Sequence, residues 1–240
     1  SGTGVGGLIG TLNATSAFHS FSLQNIAVSA NVAGGSQVGG MIGAASFSAT
    51  DNTLAASKTF TTGTHSSNTG QIGGWAGRLS TVPGSSIQVQ RSYSAGSVTG
   101  FGMMATDVCG FAGRSLGAEI SFTDVYTVTN VSQLASNSAG FTRSDGTAGH
   151  SPVLTRVHAY QSMLPFSALG LTIGSLGPNT ASWFCSASGG QTDALNIAQS
   201  AAWFTSQANF TGWDFVNTWA FSIPQYPTLR GLPASIVFPN

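Results

Sequence analysis

Two nearly identical hexapeptides decide the fold of this chain: VGGLIG at Val5–Gly10 and VGGMIG at Val38–Gly43, which begin 33 residues apart. The pattern recurs as IGGWAG at Ile72–Gly77 and VCGFAG at Val108–Gly113, and more weakly as SAGFTR at Ser138–Arg143. A phosphate-binding loop needs only one copy, and a Lys and a helix must follow it. No Lys follows any of these copies in the required position. Recurrence at this period indicates stacked repeat units instead.

A second series of segments lies between these copies and keeps a more constant period. Its first four members start 33 residues apart, and the fifth follows after 32. The segments are rich in Val, Thr, Tyr and Phe and alternate with period two, which is typical of strands and not of helical repeats. The series consists of NIAVSANV, KTFTTGTH, RSYSAGSV, DVYTVTNV and RVHAY, with third positions Ala27, Phe60, Tyr93, Tyr126 and His158.

The two series together predict an all-β fold, a β-solenoid resembling a parallel β-helix with about five coils of ~33 residues. Equivalent residues of successive coils would then lie about 4.8 Å apart, the spacing between neighbouring strands. We therefore expect Phe60, Tyr93 and Tyr126 to form an aromatic ladder, with Ala27 and His158 at its ends.

The fourth and fifth positions of the hexapeptide vary together. Leu8 and Met41 are followed by Ile, whereas Trp75 and Phe111 are followed by Ala. This compensation of volume predicts that the two side chains share one packed space at a corner of the coil.

The C-terminal part of the chain departs from the period, and we predict that it is a cap. The expected division is a solenoid over residues 1–163 and a capping segment over 164–240 that packs on the last coil. The segment ALNIAQSAAWFTSQ (Ala194–Gln207) predicts one short helix, with Asp193 as its N-cap. The aromatic residues expected to cover the open edge of the last coil are Trp203, Trp213, Phe215, Trp219 and Tyr226.

The composition excludes several classes of partner. Charged residues make up 6% of the 240 residues and the net charge is zero, so no basic surface for nucleic acid or an acidic membrane is indicated. No apolar run reaches the roughly 20 residues of a membrane span. The 15 Phe and 5 Trp argue against disorder. Low charge suits either packing against copies of itself in a fibre or coat, or a secreted protein adapted to acid or salt.

Two further features favour an extracellular or cell-surface location. Asn13, Asn130 and Asn209 each begin an N-glycosylation acceptor triplet. Cys109 and Cys185 either form a disulfide across a long loop or remain two buried thiols. The first repeat begins mid-unit, so we expect a processed chain or a fragment of a longer array.

No cluster of residues predicts catalysis, a metal site or a cofactor. Catalytic β-helices that cleave polysaccharides need paired carboxylates, or calcium-binding acids beside a basic residue. The seven acidic residues form no such pair in sequence, and the four histidines lack metal-ligand spacing. Asp124 shares its column with Arg91 and Arg156, which predicts an ion-pair ladder at the rim.

The segments GGLIG, GGMIG and GGWAG, with preceding segments such as RSYSAGSV, resemble the GLUG repeat over roughly residues 1–160. The aromatic C-terminal stretch resembles the segment that closes such arrays. Cys109 replaces the first glycine of its copy and SAGFTR lacks the last, so we expect the fourth and fifth coils to be distorted. The resemblance implies a non-catalytic surface or adhesive role. Some GLUG arrays accompany immunoglobulin-cleaving metalloproteases, but this chain has no His-Glu-x-x-His.

The expected function is therefore that of a non-catalytic extracellular structural or adhesive protein. It would be a subunit of a surface fibre, appendage or coat that associates with itself end to end or laterally, with a host-surface or glycan receptor and no nucleic-acid partner. The alternative is a carbohydrate-binding or polysaccharide-cleaving β-helix module.

Overall fold

The computed structural model describes residues 4–133, 138–144, 152–160, 184–185, 198–199, 201–221 and 226–233. The regular structure in these ranges is nearly all β. The strands are β1 (Gly4–Gly6), β2 (Ile9–Ala14), β3 (Ser20–Ser29), β4 (Val32–Gly34), β5 (Gln37–Gly39), β6 (Ile42–Phe47), β7 (Thr53–Thr62), β8 (Thr64–Gly73), β9 (Ala76–Ser80), β10 (Ser86–Cys109), β11 (Ala112–Leu116), β12 (Ile120–Gln133), β13 (Ser138–Ala139), β14 (Thr142–Arg143), β15 (Val153–Tyr160), β16 (Phe184–Cys185), β17 (Ala198–Gln199), β18 (Trp219–Ala220) and β19 (Thr228–Leu229).

Equivalent strands of successive coils pair in parallel and build two sheets. The smaller of the two stacks β2, β6, β9, β11, β14 and β16 in that order, and the larger contains the remaining strands up to β17. Residues one repeat apart are direct partners, as in Ile9 with Ile42 and Tyr93 with Tyr126. The chain therefore forms a β-solenoid, as the repeat predicts. Within the described ranges, no helix is long and apolar enough to cross a membrane.

The solenoid has about four turns, whereas the sequence predicts about five. In the coil that follows these four turns, β13 and β14 are each two residues long. This coil has Arg143 where the other hexapeptides end in glycine. At Gly77 an added Cβ would lie 2.5 Å from the backbone nitrogen of Val38, so the regular corner has no room for a side chain there. Arg143 introduces a side chain at this position, although the corner itself keeps the backbone bonds from Phe111 and Ala112 to the Phe141 carbonyl.

The hexapeptide forms a corner between the larger and the smaller sheet. At every corner after the first, where Leu8 is exposed, one large side chain is buried inside the coil. These residues form what we call the inner stack: Met41, Trp75, Phe111 and Phe141. The rings of Phe111 lie 5.6 Å from Trp75 and 5.0 Å from Phe141, within 6° of parallel. The next residue in each corner is Ile42, Ala76 or Ala112, also fully buried. The predicted sharing of one packed space is confirmed for these three pairs, which belong to one core cluster, and not for the first copy, where Leu8 is exposed.

The second glycine of the hexapeptide is required by contact between backbones. The N–H of Gly40 donates to the carbonyl of Gly74, and the N–H of Gly74 donates to the carbonyl of Gly110, both at 3.1 Å. A Cβ on Gly74 would lie only 2.3 Å from the Gly110 oxygen. The repeated glycines thus allow successive corners to stack directly on one another.

In each coil the residue at one repeated position adopts a left-handed backbone conformation and reverses the alternation of its strand. These residues are Asn25, Lys58, Arg91, Asp124 and Arg156, with φ between 47° and 55°. Before Arg91, Val89 packs inside the coil; after it, Tyr93 belongs to a separate cluster outside. The aromatic ladder therefore faces away from the solenoid interior, because each strand carries this left-handed residue before the ladder position.

The C-terminal segment covers the ladder from the side. Apolar residues of 201–221 and 226–233 form one cluster with Phe60, Tyr93 and Tyr126, which lie in three successive coils. The prediction that this segment packs on the last coil is therefore too narrow. The physical reason is that the ladder rings point outward and need cover along their whole length.

The predicted helix Ala194–Gln207 is wrong in extent. The helix α1 covers only Ala201–Phe204, a short 3-10 helix follows at Gln207–Asn209, and Ala198–Gln199 form β17. The backbone of β17 pairs with the free edge of β15, which satisfies main-chain hydrogen bonds in an extended conformation. Asp193 and the predicted boundary at residues 163 and 164 lie outside the described residues.

Candidate functional site

The aromatic ladder has the geometry that the repeat predicts. The rings of Phe60 and Tyr93 are 4.8 Å apart and inclined by 1°, and those of Tyr93 and Tyr126 are 5.0 Å apart and inclined by 10°. Ala27 and His158 are in register at its two ends. We call Phe60, Tyr93 and Tyr126 the outer ladder.

The outer ladder is covered and therefore is not a binding surface. Trp219 lies 6.3 Å from Tyr93 and 5.8 Å from Tyr126 between ring centres, and the Tyr126 hydroxyl donates to the carbonyl of Pro227. Burial raises the pKa of Tyr93 and Tyr126 above the ordinary value. The other predicted cap residues belong to the same aromatic cluster: Trp203 beside His158 at 4.5 Å, Trp213 beside Trp219 at 4.5 Å, Phe215 beside Phe210 at 6.2 Å and Tyr226 beside Phe204 at 5.3 Å.

Three carboxylates have separate structural partners. The Asp124 carboxylate accepts from Arg156 Nε, which confirms one rung of the predicted ion-pair ladder. The Asp107 carboxylate pairs with Arg143. The Asp214 carboxylate accepts from the backbone N–H of Asn217 at 2.9 Å and from the Thr218 hydroxyl, and these bonds hold its pKa below the ordinary value. Among the residues with described placement, no group of three or more His, Cys, Asp or Glu could hold a metal ion.

The predicted glycosylation sites differ in accessibility. Asn13 and Asn130 are exposed. Asn209 is half-buried, and its Nδ2, the atom that would carry a glycan, donates to the carbonyl of Trp203 at 2.7 Å. Glycosylation at Asn209 would therefore disrupt a bond within the cap, and we keep Asn13 and Asn130 as the better predicted sites.

The two cysteines are described to different extents. Cys109 is buried, and its Sγ–H donates to the carbonyl of Gly113 at 3.3 Å. Cys185 is described through its backbone, in β16, where it pairs with Arg143. The disulfide between them stays a prediction.

A groove on the outer face of the larger sheet is the candidate binding site. It encloses about 370 Å³ and is lined by residues of three successive coils. The lining contains amide, hydroxyl and cationic groups and no carboxylate; its main polar members are Gln24, Ser57, Lys58, Gln88, Gln90 and Arg91.

The repeat places the groove's polar groups at regular heights. Gln24, Ser57 and Gln90 are in register, so they occupy adjacent rungs about 4.8 Å apart. Lys58 and Arg91 are the left-handed residues of two of these coils, and their side chains line the groove on the outer face. Lys58 Nζ lies 3.5 Å from the carbonyl of Asn217 in the cap. The groove presents hydrogen-bonding groups flanked by two positive charges, a combination suited to a chain of hydroxyls or to an acidic polymer.

Sequence reasoning missed this groove because it weighed each polar residue alone. The available signal was a polar residue that precedes the left-handed residue in consecutive coils. These polar residues are Gln24, Ser57, Gln90 and Thr123. The chain matches no protein-family model, no curated protein and no solved structure.

Proposed function

We propose that this chain is a non-catalytic extracellular structural and adhesive protein that self-assembles into a surface fibre, appendage or coat. The observation that carries the proposal is the outer face of the larger sheet. One column of this face presents Ser22, Ala55, Gln88, Ser121 and Val153 at consecutive rungs, all uncharged and all at least partly exposed.

A face of this kind favours lateral association. Its positions repeat at a fixed spacing, so a second copy meets an uncharged side chain at every rung of this column. Little like-charge repulsion opposes contact, because only 6% of the residues are charged. The resemblance to GLUG arrays, whose members include surface and adhesive proteins, agrees with this proposal.

The absence of catalysis is part of the proposal and rests on the carboxylates. Asp107, Asp124 and Asp214 are each held by hydrogen bonds or ion pairs within the fold. A glycosidase instead needs two carboxylates that face one cleft about 5 to 10 Å apart. The groove lining contains none.

Assembly is tested by light scattering with size-exclusion chromatography and by electron microscopy at rising protein concentration. We expect the native chain to form larger particles and Ala55→Glu, on the outer face, to suppress them. Ala118→Glu is the matched control, since Ala118 is an exposed alanine in a turn between β11 and β12. A native chain that stays monomeric at all concentrations, or equal effects of both variants, would contradict the proposal.

The second candidate is carbohydrate binding, which the groove favours. Amide and hydroxyl groups on adjacent rungs suit the hydroxyls of an extended sugar chain, and Lys58 and Arg91 suit acidic sugars. Glycan-array binding that is lost in Lys58→Ala and Arg91→Ala, with assembly unchanged, would support it. Release of reducing sugars from polysaccharides would show cleavage and would contradict the non-catalytic proposal.

A further inference from the structure

Three arginines lie around one buried carboxylate beside the corner between β10 and β11. Asp107 is fully buried; its Oδ1 accepts from Arg143 Nη1, and its Oδ2 lies 3.9 Å from Arg114 Nη1. Arg78 is the direct strand partner of Arg114, one rung away. We call Arg78, Asp107, Arg114 and Arg143 the arginine cluster.

The charges of the arginine cluster do not balance. The described residues contribute three guanidinium groups and one carboxylate, in a chain with only seven basic residues in total. The Arg114 and Arg143 side chains are 29% and 23% exposed, and Arg78 is half-buried. Two positive charges are therefore left over in a region that is only partly hydrated.

The donors of two arginines are incompletely used. The Nε atoms of Arg78 and Arg114 are shielded from solvent and have no hydrogen-bond partner in the described part of the chain. Burial, and after it the neighbouring Arg114, lowers the pKa of Arg78, while Asp107 raises it. Asp107 Oδ2 and Gln71 Oε1 are also buried without a hydrogen-bond donor among the described residues, so the cluster does not pair its own donors and acceptors. An oxyanion at the partly exposed guanidinium groups would supply further acceptors and negative charge.

The repeat shows why Arg78 lacks a carboxylate. Arg114 follows Asp107 by seven residues, and Arg78 follows Gln71 by the same number. Gln71 and Asp107 are strand partners, so a neutral amide occupies in one coil the position that a carboxylate occupies in the next. The coil with Arg78 thus has the guanidinium group, with a neutral amide where the coil with Arg114 has a carboxylate.

We propose that the arginine cluster binds an anionic group, a sulfate or a carboxylate, through Arg78 and Arg114. Two guanidinium groups on adjacent rungs, about 4.8 Å apart, match the oxygens of such a group, because the planar fork of arginine donates two parallel hydrogen bonds to oxyanions. The anionic group belongs either to a free inorganic ion or to an acidic polysaccharide. This inference is independent of the proposed assembly and of the groove.

Calorimetric titration of the full chain with sodium sulfate, at ionic strength held constant with sodium chloride, tests the proposal. We expect saturable binding by the native chain, at least tenfold weaker binding by Arg78→Gln, and intermediate binding by Arg78→Lys, which keeps the charge and loses the fork. Arg156→Gln removes one positive charge at the rim, outside both the arginine cluster and the groove, and should bind as the native chain does. Circular dichroism confirms folding of each variant, and Arg78→Lys carries the test if Arg78→Gln fails to fold.

A second arm distinguishes the sources of the anion. Retention of the chain on immobilised heparin and polygalacturonate, compared with neutral dextran, is expected to depend on Arg78 if the group belongs to a polymer. Binding of sulfate alone would assign a small-anion site. Absence of saturable binding in both arms, or equal losses in Arg78→Gln and Arg156→Gln, would overturn the proposal.

Discussion

The inner stack and the outer ladder are two columns of rings built by the same repeat, and they differ in what encloses them. The inner stack is closed by the coils themselves, and the Trp75 Nε1–H donates to the Thr59 hydroxyl at 3.0 Å. The outer ladder is closed by a segment that follows it by many residues; the bond from Tyr126 to Pro227 spans 101 positions.

The two columns also differ in how completely their polar atoms are used. The Tyr93 hydroxyl and the indole nitrogens of Trp213 and Trp219 are buried, with no hydrogen-bond partner among the described residues. A buried donor without an acceptor costs about 1–3 kcal/mol. We infer that the inner column specifies the solenoid, and that the outer column holds the cap by apolar contact at some cost in polar groups.

Gly74→Ala should have the largest effect, because it separates the corners that carry the inner stack. The added Cβ would lie 2.3 Å from the Gly110 oxygen and 2.9 Å from the Ser94 Cβ. We expect a loss of more than about 4 kcal/mol in the free energy of unfolding, or failure to fold. Gly231→Ala is the control: no atom lies within 4 Å, and its left-handed backbone should cost only about 1 kcal/mol. Equal melting temperatures for the two variants would contradict the role of the corner.

Trp219→Ala should release the outer column and leave the inner one intact. The ring contacts Tyr93, Tyr126 and Trp213, and its removal should cost about 3–5 kcal/mol. Hydrogen exchange should rise in residues 201–233 and stay low in the smaller sheet. Phe111→Ala, of similar cost, should instead raise exchange in both sheets. The same exchange pattern in both variants would show that the two columns unfold as one unit.

His65→Val should remove a pH dependence of the free energy of unfolding that arises from one buried histidine. His65 is fully buried in register with Val32 and Val98, and burial lowers its pKa to about 4. The unfolded chain binds a proton near the ordinary value of 6.5, so the native chain is fully stable above that pH and loses stability as the pH falls towards 4. The loss is about 3 kcal/mol.

The measurement is the difference in unfolding free energy between the native chain and His65→Val at pH 7 and pH 4. A constant offset from the change in side-chain volume cancels in this comparison. A difference that does not change with pH would show that His65 is hydrated or paired.

Two hydroxyl deletions compare neighbouring rungs of the outer ladder. Tyr93→Phe removes a hydroxyl without a described partner and reproduces Phe60 of the preceding coil, so we expect no loss or a gain of about 1 kcal/mol. Tyr126→Phe removes the bond to Pro227 and should cost about 1 kcal/mol. Denaturant unfolding measures both, and a greater loss in Tyr93→Phe would contradict this order.

Arg156→Gln should have the smallest effect. Its guanidinium pairs with Asp124 at the rim, where the arginine side chain is 40% exposed. The expected loss is below about 1 kcal/mol and should disappear in high salt. A loss that persists in 1 M sodium chloride would show that packing against the cap, and not charge, is the larger contribution.

The sequence predicts the period, the register and the ladder, because a repeat of 33 residues places like residues in contact whatever the local geometry. It does not predict that the ladder faces outward. Strict alternation would put Val89 and Tyr93 on one face, and only the left-handed Arg91 between them separates the two. Propensity favours a helix at Ala198 and Gln199, where a free strand edge imposes an extended backbone.

The groove and the arginine cluster could not be predicted for a related reason. The groove combines residues from three coils of the larger sheet, and the arginine cluster combines residues from different coils and from strands on two sides of a corner, such as Asp107 with Arg143. Column assignment alone places Arg78 beside Arg114, but the opposing column containing Gln71 and Asp107 becomes visible only when the corner is folded.

The side-on packing of the C-terminal segment constrains how this protein can change by duplication. Tandem repeats commonly gain or lose whole units. Here, however, the C-terminal segment contacts Lys58 near one end of the outer ladder and His158 at the other end. A coil inserted between these two points would lengthen the outer ladder by about 4.8 Å, while the length of the C-terminal segment stayed the same. The number of coils is therefore tied to the length of a segment that contains no repeat.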